Sequence, residues 1–85
     1  MNEESVDFTE DELAEALRYS MYIAWSPEDR AYLVTVPELP DLHTHGATHE
    51  EAVVMGRDAI GAYLSALRYL GEPVPAPRLV QALGA

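Results

Sequence analysis

The spacing of apolar positions changes along the chain, and each change predicts a different element. Thr9 is a candidate N-cap and Glu12 completes its capping box, so the apolar positions that follow predict a helix of about ten residues. The stretches "YSMYIAWS" and "AYLVTVPEL" alternate between two faces, which predicts strands. The intervening "PEDR" predicts a turn, so the two strands form an antiparallel hairpin. A short third strand is expected between Asp41 and His45.

The clearest periodic pattern belongs to a second helix. Thr48 is its candidate N-cap, Glu51 is placed to close the capping box, and Gly71 is a natural C-cap. Apolar or small residues recur between these ends at spacings of three and four, as one buried helix face requires. They are Ala52, Gly56, Ala59, Ile60, Tyr63, Leu64, Leu67 and Leu70. Gly56 lies on this face, so we expect the helix to approach a sheet closely there.

These elements predict an α+β fold, in which the main helix packs across one face of a small antiparallel sheet. The sheet has three strands, or four if the proline-rich "EPVPAPR" or the following "LVQAL" adds an edge strand. No linker divides the chain and no segment repeats. We therefore expect a single domain over residues 1–85, with an acidic tail and short helix over 1–19, the core over 20–77 and a tail over 78–85.

Composition places the chain among small globular proteins. With 85 residues, of which 48% are hydrophobic, it can bury one modest core. It has no cysteine, which excludes disulfides and thiolate metal ligands. The acidic N-terminus lacks the features of a signal peptide, and no apolar run approaches the roughly 20 residues that span a bilayer. These features predict a soluble cytoplasmic protein without membrane contact.

The charge of the chain restricts its partners. Fifteen acidic residues face five basic ones, all of them scattered arginines, which gives a formal net charge of -10. Such a charge repels phosphate backbones, so we expect no direct binding of nucleic acid. A basic protein partner would instead be attracted and steered. The competing interpretation is that the acidity serves solubility alone.

Three histidines raise the question of a metal site. His43 and His45 are two positions apart and would share one face of a strand, while His49 follows at the start of the second helix. Imidazole triads bind zinc or copper, but no acid is placed here to orient the rings. The alternative is that the three are polar residues around a turn.

The sequence contains no recognisable catalytic motif. Neither Ser26 nor Ser65 lies in a nucleophile elbow, and there is no glycine-rich phosphate loop. The carboxylates cluster at the N-terminus and in turns, where solvation accounts for them. We therefore expect neither enzymatic activity nor a cofactor.

Several short motifs together resemble the HicB family of antitoxins. They are the strand "YIAW", the strand and corner "YLVTVPELPDL", the helix start "HGATHEEAVVMGRDAIGAYL" and the segment "PVPAP". They occur in the family's order over roughly Met21 to Pro77, about two-thirds of the chain. The chain departs from the family at Asp41, where glycine is favoured, and at Ala47, where an acid is usual.

The resemblance identifies the stretch before the main helix as an architectural corner. Pro37 and Pro40 end regular strand pairing, because neither can donate a ladder hydrogen bond. Gly46 permits a tight turn and is expected to need a positive backbone angle. Thr48 and Glu51 then begin the helix, and the histidines are additions to the family pattern.

The resemblance also implies a fold and a function. The fold would be part of the RNase H fold, with the order β-β-β-α-β, but without the clustered carboxylates that nuclease chemistry needs. The function would be to bind and neutralise a small basic RNA-cleaving toxin of the HicA type, in a type II toxin–antitoxin system. A homodimer or higher homo-oligomer is expected. Only eight residues follow Pro77, too few for the DNA-binding domain that many family members carry.

Six residues are candidates for contact with such a toxin. Two are aromatic side chains that could anchor an interface or pack in the domain's own core, and four are acids in the hairpin turn and at the proline corner. They are Trp25, Glu28, Asp29, Tyr32, Glu38 and Asp41. Two other hypotheses remain open: an orphan sensor or scaffold module without a toxin, and a metal-binding protein that uses the three histidines.

Overall fold

The computed structural model describes residues 8–80, and within them the chain has the predicted α+β architecture. The elements, in chain order, are α1 (Glu10–Ala16), β1 (Tyr22–Ser26), β2 (Ala31–Thr35), β3 (His43–Gly46) and α2 (His49–Leu70). The strands form one antiparallel sheet in the order β1-β2-β3. Helix α2 packs across one face of this sheet, and α1 packs on α2.

The fourth strand that the sequence allowed does not form as far as the structure describes the chain. After α2 the chain from Glu72 to Val80 forms neither helix nor strand, and its three prolines cannot donate to a ladder. The end of "LVQAL" lies outside the described residues. Strand β3 begins at His43 rather than at Asp41, because the N–H of Leu42 donates to the carbonyl of Leu39 in a turn.

Helix α1 begins as predicted but ends early. Thr9 Oγ1 accepts from Glu12 N at 3.1 Å, and Glu12 Oε1 accepts from Thr9 N at 2.9 Å, so the predicted capping box is confirmed. The helix has 7 residues rather than about ten, and it ends at the C-cap Leu17, which is 52% exposed. Such a short helix is held by docking, here through a two-pronged ion pair between Arg68 and Glu15.

Helix α2 has a cap at each end. Thr48 Oγ1 accepts from Glu51 N at 3.0 Å, which confirms the N-cap. The carboxylate of Glu51, however, accepts from Ala47 N at 2.7 Å, so the capping box predicted from Glu51 to Thr48 is wrong by one residue. Gly71 ends the helix at φ 72, as expected of a C-cap.

The buried face of α2 follows the predicted spacing except at its end. Its buried residues are Ala52, Gly56, Ile60, Gly61 and Leu64. Leu70, predicted on this face, is 67% exposed. A 22-residue helix is about 33 Å long and outruns strands of four or five residues, so its last turn has no sheet beneath it. No helix of residues 8–80 is long and apolar enough to cross a membrane.

The hairpin register confirms the two predicted faces. Ile23 lies opposite Val34 and Trp25 lies opposite Tyr32. Val34 is fully buried beneath α2, so Tyr32, two positions away on β2, also faces the helix. On the other face Tyr22 and Leu33 are exposed, and no described element covers that side of the sheet.

The core lies where α1, α2 and the proline corner converge at one end of the sheet. Its buried cluster comprises Ala16, Tyr19, Val36, Leu39, Leu42, Ile60 and Leu64. Leu39 and Leu42 come from the corner itself, between β2 and β3. The corner therefore contributes two buried leucines to the core, in addition to turning the chain between β2 and β3.

Two glycines allow close approach. Gly46 does not have the positive φ that was expected, so that prediction is wrong: Gly71 is the sole positive-φ glycine in residues 8–80. A Cβ at Gly46 would instead lie 2.4 Å from Ala52 N, because β3 crosses directly over the first turn of α2. At Gly56 a Cβ would lie 2.7 Å from Met21 Sδ and 3.2 Å from Val34 Cγ1, which confirms the expected close approach to the sheet.

Candidate partner-binding surface

Two aromatic residues meet across the hairpin. Trp25 on β1 and Tyr32 on β2 are directly paired, and their ring centroids lie 5.0 Å apart at an interplanar angle of 64°, an edge-to-face contact. Trp25 is 51% exposed and Tyr32 is half-buried. The alternative that both rings pack in the core is therefore wrong for Trp25, whose ring remains largely open to solvent.

A third ring extends this pair onto the helix. His49, the first residue of α2, lies with its ring centroid 4.2 Å from that of Tyr32, tilted by 36°. The register brings it there, because Tyr32 pairs with Gly46 and the chain turns from Gly46 directly into α2. Trp25, Tyr32 and His49 thus form a continuous series of rings across two strands and a helix, which we call the aromatic row.

The hairpin turn places acids beside the aromatic row. Glu28 and Asp29 are exposed in the loop that follows Ser26, one residue beyond Trp25. Asp29 is fixed locally: its carboxylate accepts from Ser26 Oγ at 2.8 Å and its N–H donates to that oxygen at 3.2 Å. Arg30 completes the turn at φ 54, a left-handed conformation in which its N–H donates to Ser26 O at 2.8 Å.

Glu38 does not lie on this surface, and its prediction as an exposed toxin contact is corrected by its burial. It is 8% exposed, and its carboxylate accepts from Ser20 N, Ser20 Oγ and Arg78 N at 2.7–3.2 Å. Burial would raise the pKa of Glu38, but the hydrogen bonds from Arg78 and Ser20 outweigh it and hold the pKa below its ordinary value. This carboxylate therefore joins two segments of its own chain.

Asp41 is exposed but lies at the other end of the sheet. The hairpin turn precedes Ala31 and the corner follows Thr35, so β2 separates the two groups of candidates by about 17 Å. The six residues predicted as one set are therefore divided. Four of them, Trp25, Glu28, Asp29 and Tyr32, lie together at the hairpin turn, while Asp41 lies apart and Glu38 is internal.

The three histidines do not converge on a common point. His43 and His45 pair with Thr35 and Leu33 on the uncovered face of the sheet, whereas His49 contacts Tyr32 on the face that carries α2. No group of three or more histidine and carboxylate side chains within residues 8–80 is arranged to hold a metal ion. The histidine triad that the sequence left open is therefore not formed within the described residues.

Sequence reasoning missed His49 as a member of the aromatic row, and it missed the internal role of Glu38. The available signal for His49 was its position just after an N-cap that follows β3, the partner of β2. For Glu38 there was no local signal, since its donors lie 18 and 40 residues away in the chain.

Fold and surface together define a small acidic α+β protein in which a single long helix covers one face of the sheet, with the aromatic row and acids at the hairpin end. Comparison with known proteins agrees with this class. A family model described as the HicB-like antitoxin of bacterial toxin-antitoxin systems matches residues 19–85. The chain therefore belongs to the HicB-like antitoxin family, which supports a role in a toxin–antitoxin system.

A curated relative is consistent with the same family. The UPF0150 protein Ta0767 of Thermoplasma acidophilum is 37% identical over 59 residues, which cover 69% of this chain and 84% of the relative. No solved structure matches the chain at a significant level.

Proposed function

We propose that this protein is the antitoxin that binds and neutralises a small basic RNA-cleaving toxin of the HicA type, and that it does so without catalysis of its own. The observation that carries the proposal is the aromatic row, open to solvent at Trp25 and flanked by the exposed acids Glu28 and Asp29. Half-exposed aromatic side chains are typical anchors of protein interfaces.

The charge of the chain supports the same partner. A net charge of -10 attracts a basic protein and repels RNA, so the antitoxin would approach the toxin without competing for its substrate. The acids beside the aromatic row would meet the cationic surface with which the toxin holds RNA. Neutralisation then follows from occlusion of that surface.

The proposal also covers domain organisation, nucleic-acid binding and self-association. The whole chain would act as one HicB-like domain, it would bind no nucleic acid itself, and it would self-associate in the cytoplasm as a homodimer or a higher homo-oligomer. Two observations favour self-association: one sheet face is uncovered among the described residues, and Tyr22 and Leu33 are exposed on it.

The experiment takes the toxin from the neighbouring gene, where the proposal predicts a short basic reading frame. The purified toxin is assayed for RNA cleavage with and without this protein, and we expect stoichiometric inhibition. Trp25→Ala should weaken inhibition by tenfold or more, roughly the effect of a lost interface anchor. Tyr69→Ala is the matched control, since Tyr69 is 90% exposed at the far end of α2 and should leave inhibition unchanged. Undiminished cleavage at excess antitoxin would contradict the proposal and favour an orphan module.

A further inference from the structure

We propose that the aromatic row is a receptor for an arginine side chain of the partner protein, with the guanidinium held against the rings and between the neighbouring carboxylates. The inference rests on the proposed function, in that it names the chemistry with which the toxin would engage this surface. It adds His49 and Glu50 to the surface, which neither the sequence nor the family pattern assigns.

The geometry of the rings suits a planar cation. Tyr32 is contacted by Trp25 from one side and by His49 from the other, so its ring is fixed between β1 and α2. Trp25, by contrast, is 51% exposed, which leaves part of its surface available for a ligand. A guanidinium stacked on an indole ring gains both cation–π attraction and planar contact.

The acids complete the receptor. Glu28 is exposed in the hairpin turn that follows the strand of Trp25, and Glu50 is exposed in the first turn of α2, next in sequence to His49. Asp29 is already engaged by Ser26, which leaves Glu28 and Glu50 as the carboxylates open to an incoming cation. A guanidinium on the rings can donate to such carboxylates from its edge while its face stays on the indole.

Arginine fits this arrangement better than lysine for two reasons. Its charge is spread over a plane that matches the ring, whereas an ammonium is compact and strongly hydrated. Its five donors can also reach carboxylates on two sides at once, whereas an ammonium has three donors at a single atom. The surface should therefore discriminate between peptides of equal charge.

Trp25 provides the measurement, because it is the only tryptophan in the chain. Its fluorescence is followed during titration with a short peptide of arginine, glycine and serine, and with the same peptide carrying lysine at each arginine position. We expect the arginine peptide to change the emission of Trp25 and to bind about twofold to fivefold tighter than the lysine peptide. Equal affinities would overturn the inference, since charge alone would then account for binding.

Two variants locate the binding. His49→Ala removes the ring that packs against Tyr32 at an exposed helical position, so it should fold normally while it lowers the preference for arginine. Glu28→Gln should weaken arginine-peptide binding more than Glu72→Gln, which removes the same charge from an exposed position past the far end of α2. Equal effects of the two glutamine variants, or an arginine preference that His49→Ala leaves unchanged, would overturn the inference. Circular dichroism of each variant verifies that it is folded.

The toxin assay separates this inference from the proposed function. Discrimination by the peptides in a chain that neutralises no toxin would support the arginine receptor and overturn the antitoxin function. A toxin that is neutralised equally well by the wild type and by the Trp25→Ala variant would leave the function standing and overturn the receptor.

Discussion

Glu38 Oε2 accepts the backbone N–H of Arg78 at 2.7 Å, and the same carboxylate accepts both the N–H and the hydroxyl of Ser20. One acid thus joins the segment after α2 to the residues that lead into β1. Val74 of that segment packs on the core, and the Tyr19 hydroxyl donates to its Pro75 carbonyl. Hydrogen bonds with side chains hold this segment, whereas a fourth strand would have been held by a backbone ladder.

Replacement of Glu38 should therefore reduce stability rather than partner binding alone. In Glu38→Gln an amide NH₂ group replaces one acceptor oxygen, so it cannot accept from the N–H and hydroxyl of Ser20 or the N–H of Arg78. The negative charge that strengthens these hydrogen bonds is also lost. We expect the free energy of unfolding to fall by about 2 kcal/mol, measured by urea denaturation. Glu72→Gln removes a charge from an exposed side chain and should change it by less than about 0.5 kcal/mol. A Glu38→Gln variant as stable as the wild type would contradict the internal role of this acid.

Acid should release the same contact. The pKa of Glu38 in the folded chain lies below its ordinary value of 4.5, because its hydrogen bonds outweigh the effect of burial. Its stabilising contribution is therefore complete above pH 4.5 and is lost as the pH falls from there through the folded pKa. Glu15, whose pKa is lowered by its hydrogen bonds to Arg68, contributes with the same sign.

The measurement is the melting temperature as a function of pH. We expect the wild type to lose stability below pH 4.5 and Glu38→Gln to lose less of it over the same range, since one of the linked groups is absent. A wild-type profile that parallels that of Glu38→Gln would mean that Glu38 has the same pKa in the folded and unfolded chain.

The sequence predicted the helix caps correctly but did not predict the burial of Glu38. Thr9 and Gly71 were predicted correctly, because a cap is a local arrangement within a few residues of one helix end. The hairpin faces followed from alternation for the same reason. The burial of Glu38 and the contact of His49 with Tyr32 depend on which distant segments of the chain meet. The periodicity of apolar residues within one element does not predict such contacts.

Gly46 gives a further test of the corner, because glycine is needed there for close packing against α2 and not for a positive φ. Because a Cβ at this position would lie 2.4 Å from Ala52 N and 2.7 Å from Ala52 Cα, even alanine must push β3 away from α2. We expect Gly46→Ala to lower the free energy of unfolding by about 2 kcal/mol, within the range of overpacked cores. Urea denaturation measures the change. Ala47→Ser, at the exposed neighbouring position, is the control and should be close to neutral in the same measurement.

Arg30 is a position where a substitution should stabilise the fold. It is the sole non-glycine residue of the described chain with positive φ, at 54°, and this conformation strains an L-residue. Arg30→Gly removes the strain but increases the freedom of the unfolded chain, so we expect a net gain of about 0.5 kcal/mol. Arg30→Val should destabilise, because a β-branched side chain resists this conformation. Chemical denaturation of both variants decides the sign, and a less stable glycine variant would contradict the turn geometry.

The acids at the hairpin turn should govern how fast the toxin is captured. Glu28 is exposed beside the aromatic row, so Glu28→Lys replaces an attractive charge at the proposed interface with a repulsive one. We expect the association rate to fall about threefold to tenfold at low salt, and the wild-type advantage to shrink as salt screens the charges. Glu72→Lys changes the net charge equally from an exposed site past the far end of α2, and should slow association much less. Stopped-flow fluorescence of Trp25 measures both rates. Equal slowing by the two variants would mean that the acidity acts through net charge alone, and that the hairpin turn has no special place in the interface.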